Sequence, residues 1–193
     1  MPLVDGALSI QEIYARLAND EPRNRRILDD ITQAVDEKRS PLMLTERKDH
    51  LEYFAEHLRK AVRHVVVLHG GLTGKQRRAA LAQLASIPSD RERLVLATGR
   101  YIGEGFDDAR LDTLFLAMPI SWKGTLVQYT GRLHRLHPGK TEVRIHDYVD
   151  VHVPMLRRMF DRRLRGYRAI GYTRVDGSLR RPPLFQELRV ELD

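Results

Sequence analysis

Cysteine is absent from the 193-residue sequence, which excludes disulfide bonds, thiolate chemistry and cysteine-ligated zinc. No apolar run approaches the roughly 20 residues that a membrane-spanning helix needs. The N-terminus also lacks the basic, apolar and small-residue succession of a secretory signal. We therefore expect no membrane association and a cytoplasmic location. The length fits one domain with, at most, a small appendage.

Positive charge is in excess, with 33 Lys and Arg against 26 Asp and Glu and a net charge of +7. Such an excess suits nucleic acid, because Lys and Arg at phosphates release condensed counterions. Many basic domains nevertheless bind nothing anionic, so charge alone leaves both interpretations open. Six arginines crowd one segment, which either follows a phosphate backbone or is the solvated face of a helix: Arg157, Arg158, Arg162, Arg163, Arg165 and Arg168.

The first 40 residues predict two helices. Ser9 followed by Glu12 is a capping-box pattern, and Pro22 suits the opening of a second helix. Ser40-Pro41 ends that helix, because the residue before proline disfavours helical backbone angles. We predict a helical connector or extension over residues 1–40.

Short apolar runs then alternate with amphipathic helices, which predicts an α/β fold with a parallel sheet flanked by helices on both faces. We place this domain at residues 41–172 and an irregular C-terminal tail at 173–193. Parallel sheets bind ligands at the carboxyl ends of their strands, so the residues just after each strand are the candidate site. The predicted strands cover residues 42–44, 65–68, 94–97, 114–118 and 143–149.

Two segments superficially resemble nucleotide-binding motifs. The stretch from His69 to Gln76 resembles a P-loop around Gly74-Lys75, but it has His69 where glycine is required and Gln76 where a magnesium-binding hydroxyl is required. We interpret it as a Gly-rich turn in which Thr73 caps the next helix. Residues 36–39, Asp-Glu-Lys-Arg, resemble an acidic helicase motif but fall at the polar end of a predicted helix.

The most informative residues run from 94 to 140. The first part is Leu-Val-Leu-Ala-Thr98-Gly99, followed by Gly105-Phe-Asp107. The second part is Gln128-x-x-Gly-Arg132-x-x-Arg135. Together they resemble motifs V and VI of superfamily 2 helicases. The residues in these motifs are more similar to the restriction-enzyme and excision-repair branches of that superfamily. The resemblance implies the C-terminal RecA-like lobe of such an enzyme, and it covers residues 41–149.

The resemblance assigns roles to five residues on the nucleotide side. Arg135 corresponds to the arginine finger and Arg132 to a second phosphate contact, and we expect both to project from one helix face. An arginine suits this role because its guanidinium stays ionised and presents a fork of donors. Gly105, Asp107 and Gln128 correspond to residues near the nucleotide. The alternative is two arginines on a solvated helix and an ordinary turn at Gly105.

Five further residues at predicted strand ends are nucleic-acid candidates. Thr98 and Gly99 end the third strand, where a hydroxyl and a backbone N–H suit a phosphate. Thr45, His69 and Gly70 follow the first two strands and resemble motifs IV and IVa. Thr45 could equally cap the following helix.

No metal site is expected, because the closely spaced His134 and His137 have no third ligand nearby in the sequence. The resemblance implies ATP as cofactor, shared with an N-terminal RecA-like lobe that supplies the P-loop and holds Mg²⁺. It also implies nucleic acid as partner, with DNA favoured over RNA. We expect the chain to be a fragment or a stand-alone relic that does not hydrolyse ATP alone. A non-catalytic nucleic-acid-binding module and an interaction scaffold remain the alternatives.

Overall fold

Five parallel strands form the body of the sheet in a computed structural model, which describes residues 9–99, 106–120, 127–174 and 185–191. Their spatial order is β2-β3-β1-β4-β5, and every neighbouring pair is parallel. The α/β fold class predicted from the sequence is confirmed. The strands are β1 Pro41–Thr45, β2 Val65–Leu68, β3 Leu94–Thr98, β4 Thr113–Leu116 and β5 Glu142–Tyr148.

Two more strands extend the sheet beyond β5. Strand β7, Phe185–Glu191, pairs with β5 in antiparallel orientation, and the short β6, Thr173–Arg174, pairs with β7. Our prediction of an irregular tail is therefore wrong for Phe185–Glu191. This segment has no strong strand pattern in the sequence, and Pro182-Pro183, whose structure lies outside the described residues, indicated an irregular segment.

Helices cover both faces of the sheet, because alternate strand residues point to opposite sides. Leu42 and Leu44 of β1 pack in a core cluster with residues of the later helices α4, α5 and α6, whereas Met43 packs with residues of α2 and α3. The described helices are α1 Ile10–Ala18, α2 Glu21–Asp36, α3 Lys48–Leu58, α4 Gly74–Ser86, α5 Val127–Leu133 and α6 Pro154–Ala169.

The N-terminal helices begin as the sequence predicts. Both parts of the Ser9–Glu12 capping box form at the start of α1, and Asp20 caps α2 with a proline in its first turn. Helix α1 packs through Ile13 and Leu17 in a separate cluster with Met118, Val153 and Leu156, residues that follow the carboxyl ends of β4 and β5. Helix α1 is thus fixed at the end where β4 leaves the sheet.

The segment from His69 to Gln76, which resembles a P-loop, leads into the start of a helix, as we predicted. The Thr73 side chain caps α4 and the Gln76 side chain bonds back to it, which completes a second capping box. Lys75 lies exposed in the first turn of α4. Within the part of the chain that the structure describes, no helix is long and apolar enough to cross a membrane.

Candidate nucleotide and nucleic-acid sites

A cavity of about 540 Å³ opens at the carboxyl ends of β1, β2 and β3. Thr98 and the adjacent residues His69 and Gly70, which were predicted from two separate segments of the sequence, line it together. This convergence follows from the parallel sheet, in which strand ends meet at one edge. The complete lining is Gln11, Tyr14, Glu46, Arg47, Lys48, His69, Gly70, Gly71 and Thr98.

The charged residues of this cavity follow β1 directly. Arg47 Nε lies 3.0 Å from Oδ1 of Asp49, and Lys48 Nζ lies 3.3 Å from Oε1 of Glu52. Lys48, Glu52 and Asp49 are exposed and the Arg47 side chain is 34% exposed, and ion pairs at the surface contribute only about 0–1 kcal/mol. Arg47 and Lys48 can therefore exchange these carboxylates for phosphate oxygens at low cost.

Gly99 is buried, and it is not among the described residues that line the cavity. Its N–H donates to the Thr45 carbonyl over 2.9 Å, and its carbonyl accepts from the Tyr129 hydroxyl. A Cβ at this position would lie 2.5 Å from Oε1 of Glu46, so a larger residue here would require the end of the Glu46 side chain to move. Gly99 thus joins the end of β3 to β1 and α5, and its role in nucleic-acid binding stays a prediction.

Thr45 requires a correction. Its side chain is fully buried and its hydroxyl lies 2.9 Å from Nδ1 of His50, so it is not presented to a phosphate. The alternative of a helix cap is also wrong, because α3 has Arg47 at its N-cap and no side-chain cap. A buried hydroxyl forms a hydrogen bond with a nearby group, and no local pattern predicts that this group is a histidine.

His50 is the centre of a buried polar chain. Its Nε2 lies 2.9 Å from the amide oxygen of Asn24, and the Asn24 amide nitrogen donates to the carbonyl of Ala18 over 2.7 Å. Burial, reinforced by the positive charge of Arg23, lowers the pKa of His50 from 6.5 to about 3. A neutral His50 can donate from Nε2 to Asn24 and accept from Thr45, so the chain ties α1 and α2 to the end of β1.

The predicted finger and the motif V aspartate form a direct contact. Arg135 Nη1 donates to the carboxylate of Asp107, and the two side chains are 54% and 48% exposed. Phe106, just before Asp107, is buried in the core, which holds the aspartate at the surface. Motifs V and VI therefore present one cationic and one anionic group together to solvent.

The helical placement of Arg135 needs a correction. Helix α5 ends at Leu133, so Arg135 lies beyond it, in a turn where its N–H donates to the Arg132 carbonyl over 3.2 Å. Arg132 lies within the helix and is half-buried. The argument that both project from one helix face therefore does not hold, although the turn keeps them close in the chain.

Two residues that the sequence analysis missed hold this arrangement in place. Tyr129 is buried and joins α5 to Gly99, as described above. Lys140 Nζ donates to the carbonyl of Arg135 over 2.9 Å and to that of Ala109 over 3.0 Å. Lys140 thereby holds the backbone of both motifs, although its place beyond motif VI gave no signal for this role.

Gly105 lies outside the described residues, as does the side chain of Gln128, so their predicted contacts with nucleotide stay predictions. The histidines considered for a metal are engaged elsewhere: His134 Nε2 lies 2.8 Å from the Tyr172 hydroxyl, and His137 Nδ1 lies 2.9 Å from the Pro138 carbonyl. Among the residues with described positions, no three His, Asp or Glu side chains cluster as metal ligands would.

The arginine-rich segment forms α6 and divides into two groups. Arg163 is buried and forms a bidentate ion pair with Asp147 of β5, with N–O distances of 2.7 and 2.8 Å. It also donates to the carbonyl of Ile120 over 2.9 Å. The other five arginines of the segment are exposed, so the segment is partly a structural anchor and partly a solvated face.

The parallel sheet, with its candidate site at the carboxyl ends of the strands, defines the class of the chain, which is an α/β domain of RecA-like type. The family model described as the helicase conserved C-terminal domain matches residues 23–137, more than half of the chain. The chain belongs to this family, which confirms our recognition of a superfamily 2 C-terminal lobe. The match begins within α2. A comparison with curated protein sequences finds no match.

Solved structures are similar to this chain in fold. The crystal structure of T4 UvsW is similar to this chain at a TM-score of 0.55 and 17% identity, over 68% of this chain and 26% of that one. Mss116p DEAD-box helicase domain 2 bound to an RNA duplex gives 0.47 and 15%, over 66% and 48%. The Sulfolobus solfataricus SWI2/SNF2 ATPase core in complex with dsDNA gives 0.44 and 21%, over 60% and 24%. The chain therefore spans less than half the length of these proteins.

Proposed function

We propose that this domain acts as the second lobe of an ATP-dependent nucleic-acid helicase or translocase. The observation that carries the proposal is the contact of Arg135 with Asp107, which joins motifs V and VI at one exposed point. An isolated solvated arginine would need neither this partner nor the two Lys140 contacts beneath it. This arrangement supports a preorganised Arg135 rather than an arginine that is only solvated at the surface.

The residues present suit ATP held by another lobe. An exposed ion pair contributes about 0.2–1 kcal/mol, so Arg135 can leave Asp107 for a phosphate at small cost. ATP, bound with Mg²⁺ on a first lobe, would supply the phosphoryl group. Arg135 would then place positive charge on that group, and Arg132 would add a second phosphate contact. Asp107 would be left able to accept from a ribose hydroxyl.

Nucleic acid would occupy the cavity at the ends of β1, β2 and β3. The Thr98 hydroxyl, the backbone of Gly70 and the cations Arg47 and Lys48 are groups that bind phosphates. Neither Arg135 nor Asp107 is among the described residues lining this cavity. The proposed nucleotide contacts and the proposed nucleic-acid contacts therefore lie on two different surfaces of one lobe. Coupling between the binding of two ligands needs two such distinct sites.

The 193 residues contain no P-loop, so we expect no ATP hydrolysis by this chain alone. The test combines this chain with a first RecA-like lobe that carries a P-loop and measures ATPase activity with and without DNA or RNA. The proposal predicts turnover that appears only with both lobes and rises with nucleic acid. Salt-dependent binding of nucleic acid without any turnover would instead favour a stand-alone, non-catalytic binding module.

A further inference from the structure

One wall of the cavity at the ends of β1, β2 and β3 comes from α1 rather than from a strand end. Gln11 and Tyr14 of α1 line the cavity together with His69 and Thr98. Helix α1 precedes the residues that the family model matches, which begin at residue 23. This wall is therefore a feature of this chain that its membership of the family does not explain.

Helix α1 is firmly attached at this place. Ile13 and Leu17 are 2% and 1% exposed, so its apolar side is fully used in packing. The Tyr14 hydroxyl donates to the carbonyl of Pro119 over 2.5 Å, which fixes the position of the ring from a second element. Tyr14 is thus a held side chain and not a mobile one.

Tyr14 lines the cavity while its hydroxyl bonds to Pro119 and its ring packs in part against the cluster of Ile13 and Leu17. Burial raises the pKa of Tyr14 to about 12, so the ring carries no charge at neutral pH. Arg47 and Lys48 bring two positive charges to the same cavity, against the one negative charge of Glu46. An aromatic ring beside cations is the combination with which proteins bind single-stranded nucleic acid, since bases stack on rings while cations contact phosphates.

The geometry points to Tyr14 as a stacking contact for an unpaired base of a nucleic-acid strand bound in this cavity. The inference rests on the proposed function and adds that the bound nucleic acid is single-stranded at this point. Bases inside a duplex are stacked on their neighbours, so their faces do not reach a ring. A volume of about 540 Å³ leaves room for the base as well as its phosphate.

The test measures binding of the full chain to a labelled oligothymidylate by fluorescence anisotropy over a range of salt. Tyr14→Leu is expected to weaken binding roughly 5-fold to 100-fold, which corresponds to the stacking of one base. Tyr14→Phe keeps the ring and is expected to bind as the wild type does. Tyr53→Leu changes a half-buried tyrosine of α3 that does not line the cavity, and it serves as the matched control.

An oligonucleotide with abasic sites separates stacking from a folding defect. The wild type should lose affinity for it by the factor that Tyr14→Leu loses on the intact strand, and Tyr14→Leu should lose little more. Equal binding of the intact strand by Tyr14→Leu and wild type would overturn the inference, as would an undiminished abasic penalty in Tyr14→Leu. In either case salt-dependent binding by the wild type would leave the proposed function standing. No salt-dependent binding by the wild type would overturn both.

Discussion

Arg135 donates a hydrogen bond to the carboxylate of Asp107, a residue 28 positions earlier in the chain. The backbone beneath this pair is held by Lys140, which bonds to the carbonyls of Arg135 and Ala109. Because phosphoryl transfer depends on charge placed at a defined point, a group that fixes the backbone of the arginine affects the rate without touching the nucleotide. Under the proposed function, we therefore expect Lys140 to act as a positioning residue.

We predict that Lys140→Met lowers ATPase kcat roughly 10-fold to 100-fold when the domain is assayed with its first lobe, because a small displacement of a catalytic group has an effect of this size. KM for ATP should change much less. Lys60→Met, which changes an exposed lysine of the loop after α3, is the control and should leave turnover unchanged. Equal loss in both variants would argue against a specific role for Lys140.

A second prediction concerns the buried ion pair that joins α6 to the sheet. Arg163 and Asp147 are both 1% exposed, so Arg163→Met leaves a buried carboxylate without its cation. The free energy of unfolding should fall by about 3–5 kcal/mol. Arg162→Met changes the exposed neighbour on the same helix and should shift it by less than about 0.5 kcal/mol. Urea unfolding of the two variants beside the wild type makes the comparison.

A third prediction concerns acid stability. The pKa of His50 in the folded protein lies below its value of 6.5 in the unfolded chain, so as the pH falls the unfolded chain is protonated before the folded one. The contribution of His50 to the free energy of unfolding is therefore fully present only above pH 6.5. Stability should fall as the pH is lowered from 6.5 towards about 3. His50→Gln removes the titrating ring, so its unfolding free energy should fall less steeply in this range. Parallel acid profiles for the two proteins would show that His50 does not cause the slope.

A fourth prediction separates the structural role of Thr45 from the phosphate contact that the sequence suggested. Thr45→Val keeps the shape of the side chain but leaves Nδ1 of His50 without its partner. The free energy of unfolding should fall by about 1–3 kcal/mol. The dependence of oligonucleotide affinity on salt should keep its slope, since no phosphate contact is removed. A shallower slope in this variant would restore Thr45 to the nucleic-acid surface.

The order of helices and strands could be predicted from the sequence because each element carries its own signal. The run of apolar residues in β2 and the Thr73–Gln76 capping box are local patterns, and both proved right. The carboxyl ends of the strands were also expected at one edge of the sheet, because parallel strands all end there, and the strand order β2-β3-β1 makes three of these ends neighbours. Thr98 and His69 meet for this reason.

The errors arose where a residue's partner is distant in the chain. Thr45 looked like a surface hydroxyl, yet its partner His50 is itself held by Asn24, 26 positions away. Arg163 was one of six similar arginines, and only the position of Asp147 on the sheet distinguishes it. Strand β7 depends on pairing with β5 and has no strong pattern of its own. None of these long-range partners can be read from local spacing.

The most direct test of the central claim is the ATPase activity of Arg135→Ala assayed with the first lobe and nucleic acid. We predict a loss of turnover of roughly 10³-fold to 10⁵-fold, with the fold and oligonucleotide binding retained, because Arg135 lies outside the nucleic-acid cavity. Arg158→Ala, an exposed arginine of α6, is the control and should turn over ATP as the wild type does. Turnover by Arg135→Ala at the wild-type rate would contradict the account.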